Sequence, residues 1–131
     1  MTTSPGAPRT LGNAADIAGQ AEAGQVRGAV WRLADDDRDL DANVIRLAPL
    51  DAIGPHDGPG LDVLILVLSG VGELATPGAE VVVLTVGELV WLPARARRHF
   101  TAGPTGLTYL TVHRRRPKLS IPGAALRRAD L

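Results

Sequence analysis

The sequence contains no cysteine and very few aromatic residues. Its 131 residues include two Trp, one Tyr and one Phe. The absence of Cys excludes disulfides, thiolate metal sites and a Cys nucleophile. The few rings present, those of Trp31, Trp91, Phe100 and Tyr109, do not suffice for a stacking platform that would hold a run of bases or sugars.

The chain also lacks an excess charge of either sign and a long hydrophobic run. Lys and Arg number 14, as do Asp and Glu, whereas nucleic-acid-binding domains carry a basic excess, so we expect no nucleic-acid partner. The longest apolar run, 63–68, is too short to span a bilayer. Residues 1–13 lack the apolar core of a signal peptide. We therefore expect a soluble cytoplasmic protein without membrane contact.

Short strand candidates separated by turn signals dominate the pattern that is present. The 15 Gly and 10 Pro disfavour a helical bundle, and Pro77-Gly78 is a good hairpin turn. Residues 49–60 are too rich in Gly and Pro to be regular for long, and residues 103–106 read as a turn. This spacing predicts an antiparallel sandwich or barrel. The candidate strands are 26–33, 43–47, 61–68, 72–76, 80–86, 88–92, 97–102, 107–113 and 118–121.

The hydrophobic pattern places one domain between two tails. Residues 1–23 lack a pattern strong enough to anchor them, so we predict a mobile N-terminal tail with at most one helical turn near residues 14–21. The β-barrel domain is predicted over residues 24–122. Residues 123–131 are predicted to form a tail or a short helix.

Residues 56–74 resemble the first sequence motif of the cupin superfamily, a group of small jelly-roll β-barrels. When the last glycine of this motif is placed on Gly70, its carboxylate position falls on Val63. Its two His positions fall on His56 and Gly58. The glycine spacing therefore matches the family, while two of the three ligand positions of this motif do not.

Residues 87–100 resemble the second cupin motif. Gly87 and Pro93 match it. Arg95 takes the position of a family glycine, and Arg98 takes the position of the family histidine. The resemblance implies an all-β fold, an antiparallel double-stranded β-helix of the jelly-roll type. It covers about 45–110 of this chain.

In cupins, two His and a Glu from the first motif join a His from the second motif around one divalent transition metal. Here His56 alone matches such a position, so no metal is favoured, and the sequence leaves the cofactor open between none and one divalent transition metal. If a metal is bound, its predicted ligands are His56, His113 and His99. His99 then requires a local bulge, because a shift of one residue turns a strand side chain to the other face. That alternative is a metal-dependent cupin enzyme, dioxygenase- or isomerase-like, with a rearranged histidine site.

The favoured function is the binding of an anionic small molecule at the barrel mouth, through His56, Arg98 and His113. A guanidinium favours carboxylate or phosphate groups. In the jelly roll the last barrel strand lies antiparallel to the strand of Val63, which brings His113 to the same end. Without a Glu, this mouth is predicted to be electropositive. Two further interpretations are that Arg98 and His113 face solvent, and that aliphatic side chains fill the barrel of an interaction module.

The strand candidate at residues 61–68 is apolar on both faces. A strand that lines a barrel needs one apolar face. The other face, with Leu64, Leu66 and Leu68, must be covered by the first strand, by a tail or by a second subunit. Cupins commonly pair in this way, so we predict a homodimer.

Overall fold

The structure, a computed structural model, describes residues 6–116. The predicted strand at 118–121 and the predicted C-terminal segment lie outside these residues. The described part contains one helix and seven strands, all paired antiparallel. They are α1 (Ala14–Ala23), β1 (Gly28–Arg32), β2 (Leu40–Leu47), β3 (Ala52–His56), β4 (Val63–Ala75), β5 (Val82–Thr85), β6 (Leu89–Leu92) and β7 (Arg98–Arg114).

The two long strands, β4 and β7, pass through both halves of the barrel. Residues 63–70 of β4 pair with residues 107–113 of β7 and, together with β1, β2 and β6, form the front sheet. Residues 72–75 of β4 pair with residues 99–102 of β7 and, together with β3 and β5, form the back sheet. This arrangement is an antiparallel double-stranded β-helix, and it confirms the predicted jelly roll.

The hydrophobic core lies between the two sheets and follows the alternation of β4. Val63, Ile65 and Val67 are buried, with Ile65 0% exposed, whereas Leu64 is 46% exposed. Leu74, on the back-sheet half of β4, belongs to the same core cluster. Because successive strand side chains point to opposite faces, the face of β4 with Val63, Ile65 and Val67 lines the interior.

Two glycines allow β4 and β7 to bend together between the sheets. Gly70 has φ 78° and Gly106 has φ 84°, both in the left-handed region. A Cβ on Gly70 would overlap the Gly106 carbonyl group, with the carbonyl carbon 2.8 Å away. The predicted turn at residues 103–106 is therefore wrong. The chain bends there without leaving the strand, because the ladder to β4 resumes on each side of the bend.

Strand β3 lies within residues 49–60, which were predicted to be irregular. It contains Gly54 and Pro55 and, among the strands of residues 6–116, pairs with β7 alone. Proline, which has no N–H to donate, is tolerated in an edge strand of this kind. Its register to β7 shifts between Ile53 and His56, so the irregularity appears as a bulge and not as a loop.

Helix α1 is longer than the single helical turn predicted near residues 14–21. Its N-cap is Asn13, whose side chain accepts a hydrogen bond from a first-turn amide at 3.0 Å. Ala18 and Ala21 are buried where the helix contacts β2 and β4. Alanine gives little hydrophobic contrast, so the sequence pattern did not reveal this contact. With 10 residues, α1 is too short to cross a membrane, and the described residues contain no other helix that could.

Candidate functional site

Two loops close one end of the barrel, which we call the loop end. Residues 57–62 join β3 to β4, and residues 93–97 join β6 to β7. The Ala94 amide donates a hydrogen bond to Asp62 Oδ1 at 2.9 Å. Asp62, the carboxylate next to the family's Glu position, therefore ties one loop to the other and points away from the interior.

Arg98 begins β7 at this end, and its side chain is buried inside the barrel. It is 5% exposed, and its Nε donates to the Ala96 carbonyl at 3.1 Å. Its Nη2 is buried and has no hydrogen-bond partner within residues 6–116. The guanidinium lies against Gly58, where an added Cβ would be 2.6 Å from Arg98 Cζ. Arg98 thus occupies the space that a histidine side chain at position 58 would need.

Tyr109 and Phe100 form a stacked pair between the two sheets, with ring centroids 5.1 Å apart and an interplanar angle of 5°. Burial raises the pKa of the Tyr109 phenol well above its ordinary range, and the Arg98 guanidinium lowers it by a smaller amount. Burial also lowers the pKa of Arg98, against a smaller opposing effect of Tyr109. At neutral pH the phenol is protonated and is a hydrogen-bond donor.

The sequence shows Tyr109 as one of four aromatic residues, and its proximity to Arg98 was not predicted. Alternation along the last strand places Tyr109 on the same face as Thr111 and His113. That alternation was the available signal. Phe100 and Tyr109 lie on either side of the bend in β7. Because a turn was predicted at residues 103–106, the stacking of the two rings was not predicted.

His113 lies where the fold predicted it. It is paired with Val63 on one side and with Asp41 on the other, which confirms the predicted approach of His113 to Val63. Its ring Nδ1 is 2.8 Å from the Arg114 carbonyl oxygen. Asp41 is a carboxylate that the sequence analysis did not include. It forms an ion pair with Arg38 at 2.8 Å, so its negative charge is already balanced by that guanidinium.

The other two histidines are placed differently. His56, the last residue of β3, is exposed, and its Nδ1 lies 3.0 Å from the Gly54 carbonyl oxygen of its own strand. His99 lies between the buried side chains of Arg98 and Phe100, so its side chain points to the outer face. His56 therefore lies at the rim of the loop end, and the bulge that His99 would need is not observed.

Comparison with known proteins was informative for structure alone. No family model and no curated protein matches the chain. A cupin-2 domain containing protein from Shewanella frigidimarina superposes with a TM-score of 0.56, at 13% identity, over 73% of this chain and 91% of that one. A cupin superfamily protein from Desulfitobacterium hafniense does so with a TM-score of 0.54, at 17% identity, over 63% and 72%. The fold is that of a cupin.

Cupins of known activity are also similar in structure. A DMSP lyase, DddQ from Ruegeria pomeroyi, matches with a TM-score of 0.55 and 20% identity. The match covers 66% of this chain and 46% of the lyase. At such identities the likeness concerns the fold, and the side chains decide the chemistry.

The residues at the loop end do not fit the cupin metal. The carboxylate position is taken by Val63, 5% exposed in an apolar wall, and Gly58 offers no ligand. The Arg98 guanidinium fills the adjoining space, and its fixed positive charge opposes a cation. Within residues 6–116 no three His, Cys, Asp or Glu side chains lie close enough to hold a metal ion.

Proposed function

We propose that this cupin-fold protein binds a small carboxylate or a similar anion at the loop end, with Arg98 in place of a metal. The supporting observation is Arg98 Nη2, a buried donor without an acceptor among the described residues. Leaving such a donor unpaired is costly. A carboxylate or phosphate oxygen would supply the missing acceptor, and charge-assisted hydrogen bonds of this kind are the strong ones.

The surroundings of Arg98 suit an anion that has an apolar body. The Tyr109 phenol, protonated at neutral pH, is a second donor near the guanidinium. Val63 and Ile65 line the interior, and an apolar wall strengthens the attraction between charges by lowering the local dielectric constant. We propose His113 and His56 as further contacts of the ligand, because an imidazole ring N–H can donate a hydrogen bond to an anion.

Calorimetric titration with butyrate and benzoate tests this function. We expect the native protein to bind at least one of them. Arg98→Ala should weaken that binding about tenfold to a hundredfold, because a hydrogen bond to a charged group contributes about 1.5–3 kcal/mol.

Arg97→Ala is the matched control for that titration. Its side chain is 50% exposed and forms an ion pair with Asp57 at 3.2 Å, so it should bind as the native protein does. Equal affinities of Arg98→Ala and the native protein would show that Arg98 is not the anion-binding group.

A metal-dependent enzyme with a rearranged histidine site is the less favoured candidate. It requires His56, His99 and His113 to converge, whereas His56 is exposed and His99 points outward. Metal analysis of protein purified without chelator separates the candidates. One equivalent of Fe, Mn, Ni or Zn, lost in both His56→Ala and His113→Ala, would favour the enzyme.

We also propose that the outer face of the front sheet mediates homodimerisation. Leu64 lies opposite Trp91 in the ladder between β4 and β6, and these residues are 46% and 64% exposed. Leu89, on the same face, is 67% exposed. Helix α1 contacts β2 and β4 elsewhere on the outside of this sheet. A second copy of the chain would cover the apolar strip that α1 leaves open.

Trp91→Glu should convert the dimer to a monomer, because a charge would be buried at the centre of the proposed interface. The mass measured by light scattering should fall from about twice 13.7 kDa to 13.7 kDa. Val83→Glu is the control, since Val83 is 60% exposed on β5 of the back sheet. A native protein that is monomeric at micromolar concentration would rule out this interface.

A further inference from the structure

Arg95, at the loop end, has a backbone conformation that is unfavourable for a residue with a side chain. Its φ is 65°, in the left-handed region, and it stands where the cupin motif has a glycine. Its N–H donates to the Pro59 carbonyl at 2.8 Å, which fixes it against the neighbouring loop. A glycine would adopt this conformation without strain. Strained residues of this kind are concentrated at ligand sites.

The Arg95 side chain is an exposed positive charge at the loop end. Within residues 6–116 it makes no hydrogen bond and no ion pair. Neither nearby carboxylate forms an ion pair with Arg95: Asp57 pairs with Arg97, and Asp62 accepts a hydrogen bond from the Ala94 amide. The positive charge of Arg95 is therefore available at the rim.

Arg95 and Arg98 contact two consecutive residues of the loop between β3 and β4. The Arg95 backbone is hydrogen-bonded to Pro59, and the Arg98 guanidinium packs on Gly58. One cation is thus buried inside the loop end, and a second lies at its rim. A ligand with an anionic group at each end would meet both.

We propose that the loop end takes a small dianion, a dicarboxylate whose inner carboxylate binds Arg98 and whose outer carboxylate binds Arg95. This inference rests on the proposed function, because Arg98 supplies the first contact. The apolar wall at Val63 would face the hydrocarbon body between the two charged groups. The rim contact is exposed, so its contribution is moderate and sensitive to salt.

Calorimetric titration with matched probes tests the second contact. The dicarboxylates from succinate to suberate are each compared with the monocarboxylate of the same carbon number, at low and high salt. The native protein should bind its best dicarboxylate about threefold to tenfold more tightly than the matching monocarboxylate at low salt, and salt should reduce this preference. Arg95→Gly should lose the preference and bind the monocarboxylate as the native protein does.

Two control variants separate charge from strain. Arg97→Gln removes the adjacent rim charge and should keep the preference for dicarboxylates. Leu50→Gly relieves a left-handed residue of φ 63° at the β2–β3 connection and should also keep it. Arg95→Gly restores the family glycine, so we expect it to fold.

The outcomes distinguish this inference from the proposed function. Monocarboxylate binding that depends on Arg98, with no preference for dicarboxylates, overturns the role of Arg95 and leaves the proposed function standing. An equal loss of preference in Arg97→Gln would also overturn it, because any rim charge would then suffice. Binding of neither probe class to the native protein overturns both proposals.

Discussion

Arg98→Met should raise the free energy of unfolding while weakening anion binding about tenfold to a hundredfold. Arg98 is 5% exposed and leaves Nη2 without an acceptor among the described residues. Met is also long and unbranched, so it can fill the space beside Gly58 without burying a charge. Replacing a buried charged group by an apolar one often stabilises a protein, and we expect about 1–3 kcal/mol in urea denaturation.

Arg97→Met is the control for this trade between stability and binding. Its ion pair with Asp57 lies at the surface, and such pairs contribute about 0–1 kcal/mol. Saturating carboxylate should stabilise the native protein and Arg97→Met more than it stabilises Arg98→Met. A marked loss of stability in Arg98→Met would mean that the guanidinium supports the loops, and the unpaired donor would then need another explanation.

Gly70→Ala should be among the most damaging single substitutions in the barrel. Gly70 has φ 78°, and an added Cβ would overlap the Gly106 carbonyl group. The obstacle is backbone, so no side-chain rotation relieves it. Together the strained φ and the forced separation of β4 from β7 should lower the free energy of unfolding by about 3 kcal/mol or more in urea denaturation.

Gly78→Ala is the control that measures the left-handed strain alone, so its difference from Gly70→Ala gives the steric part. Gly78 has φ 76°, close to that of Gly70, but no atom lies within 4 Å of an added Cβ. It should therefore cost the left-handed strain alone, about 1–2 kcal/mol. If both substitutions cost the same, the close approach of Gly70 to Gly106 does not hold the bend.

The parts of the fold that were predictable from sequence are those with local signals. The hairpin at Pro77-Gly78 and the buried strand from Val63 follow from turn chemistry and apolar alternation. The fold class followed from the glycine and proline positions shared with cupins, including Gly87 and Pro93. Each of these signals lies within a short stretch of chain.

The errors arose where distant contacts override local signals. The sequence at residues 103–106 has turn chemistry, yet pairing with β4 on both sides of the bend keeps it in β7. Strand β3 contains Pro55 and is stabilised by its pairing with β7. Helix α1 packs on the sheet through two small alanines, and the position of this sheet beside the helix could not be predicted from the local sequence.

The candidate site was also predictable only where local signals or strand order determine it. The motif placed Arg98, and strand topology placed His113 beside Val63. Asp41 lies beside His113 because of the register between β2 and β7, which joins residues more than half the chain apart. Local alternation cannot supply such a register, so the carboxylate was missed.

The place of β7 in the chain also bears on how the protein is made. β2, β3 and β4 all pair with β7, which follows every other described strand in the sequence. During synthesis, β4 can pair with β5 and β6 early. The edges of β2 and β3 that pair with β7 stay unpaired until β7 has left the ribosome. Neither sheet can be completed in N-terminal order, so barrel closure comes late and through contacts that are distant in sequence. Until then, the apolar strands of the nascent chain have unpaired edges, which favour aggregation.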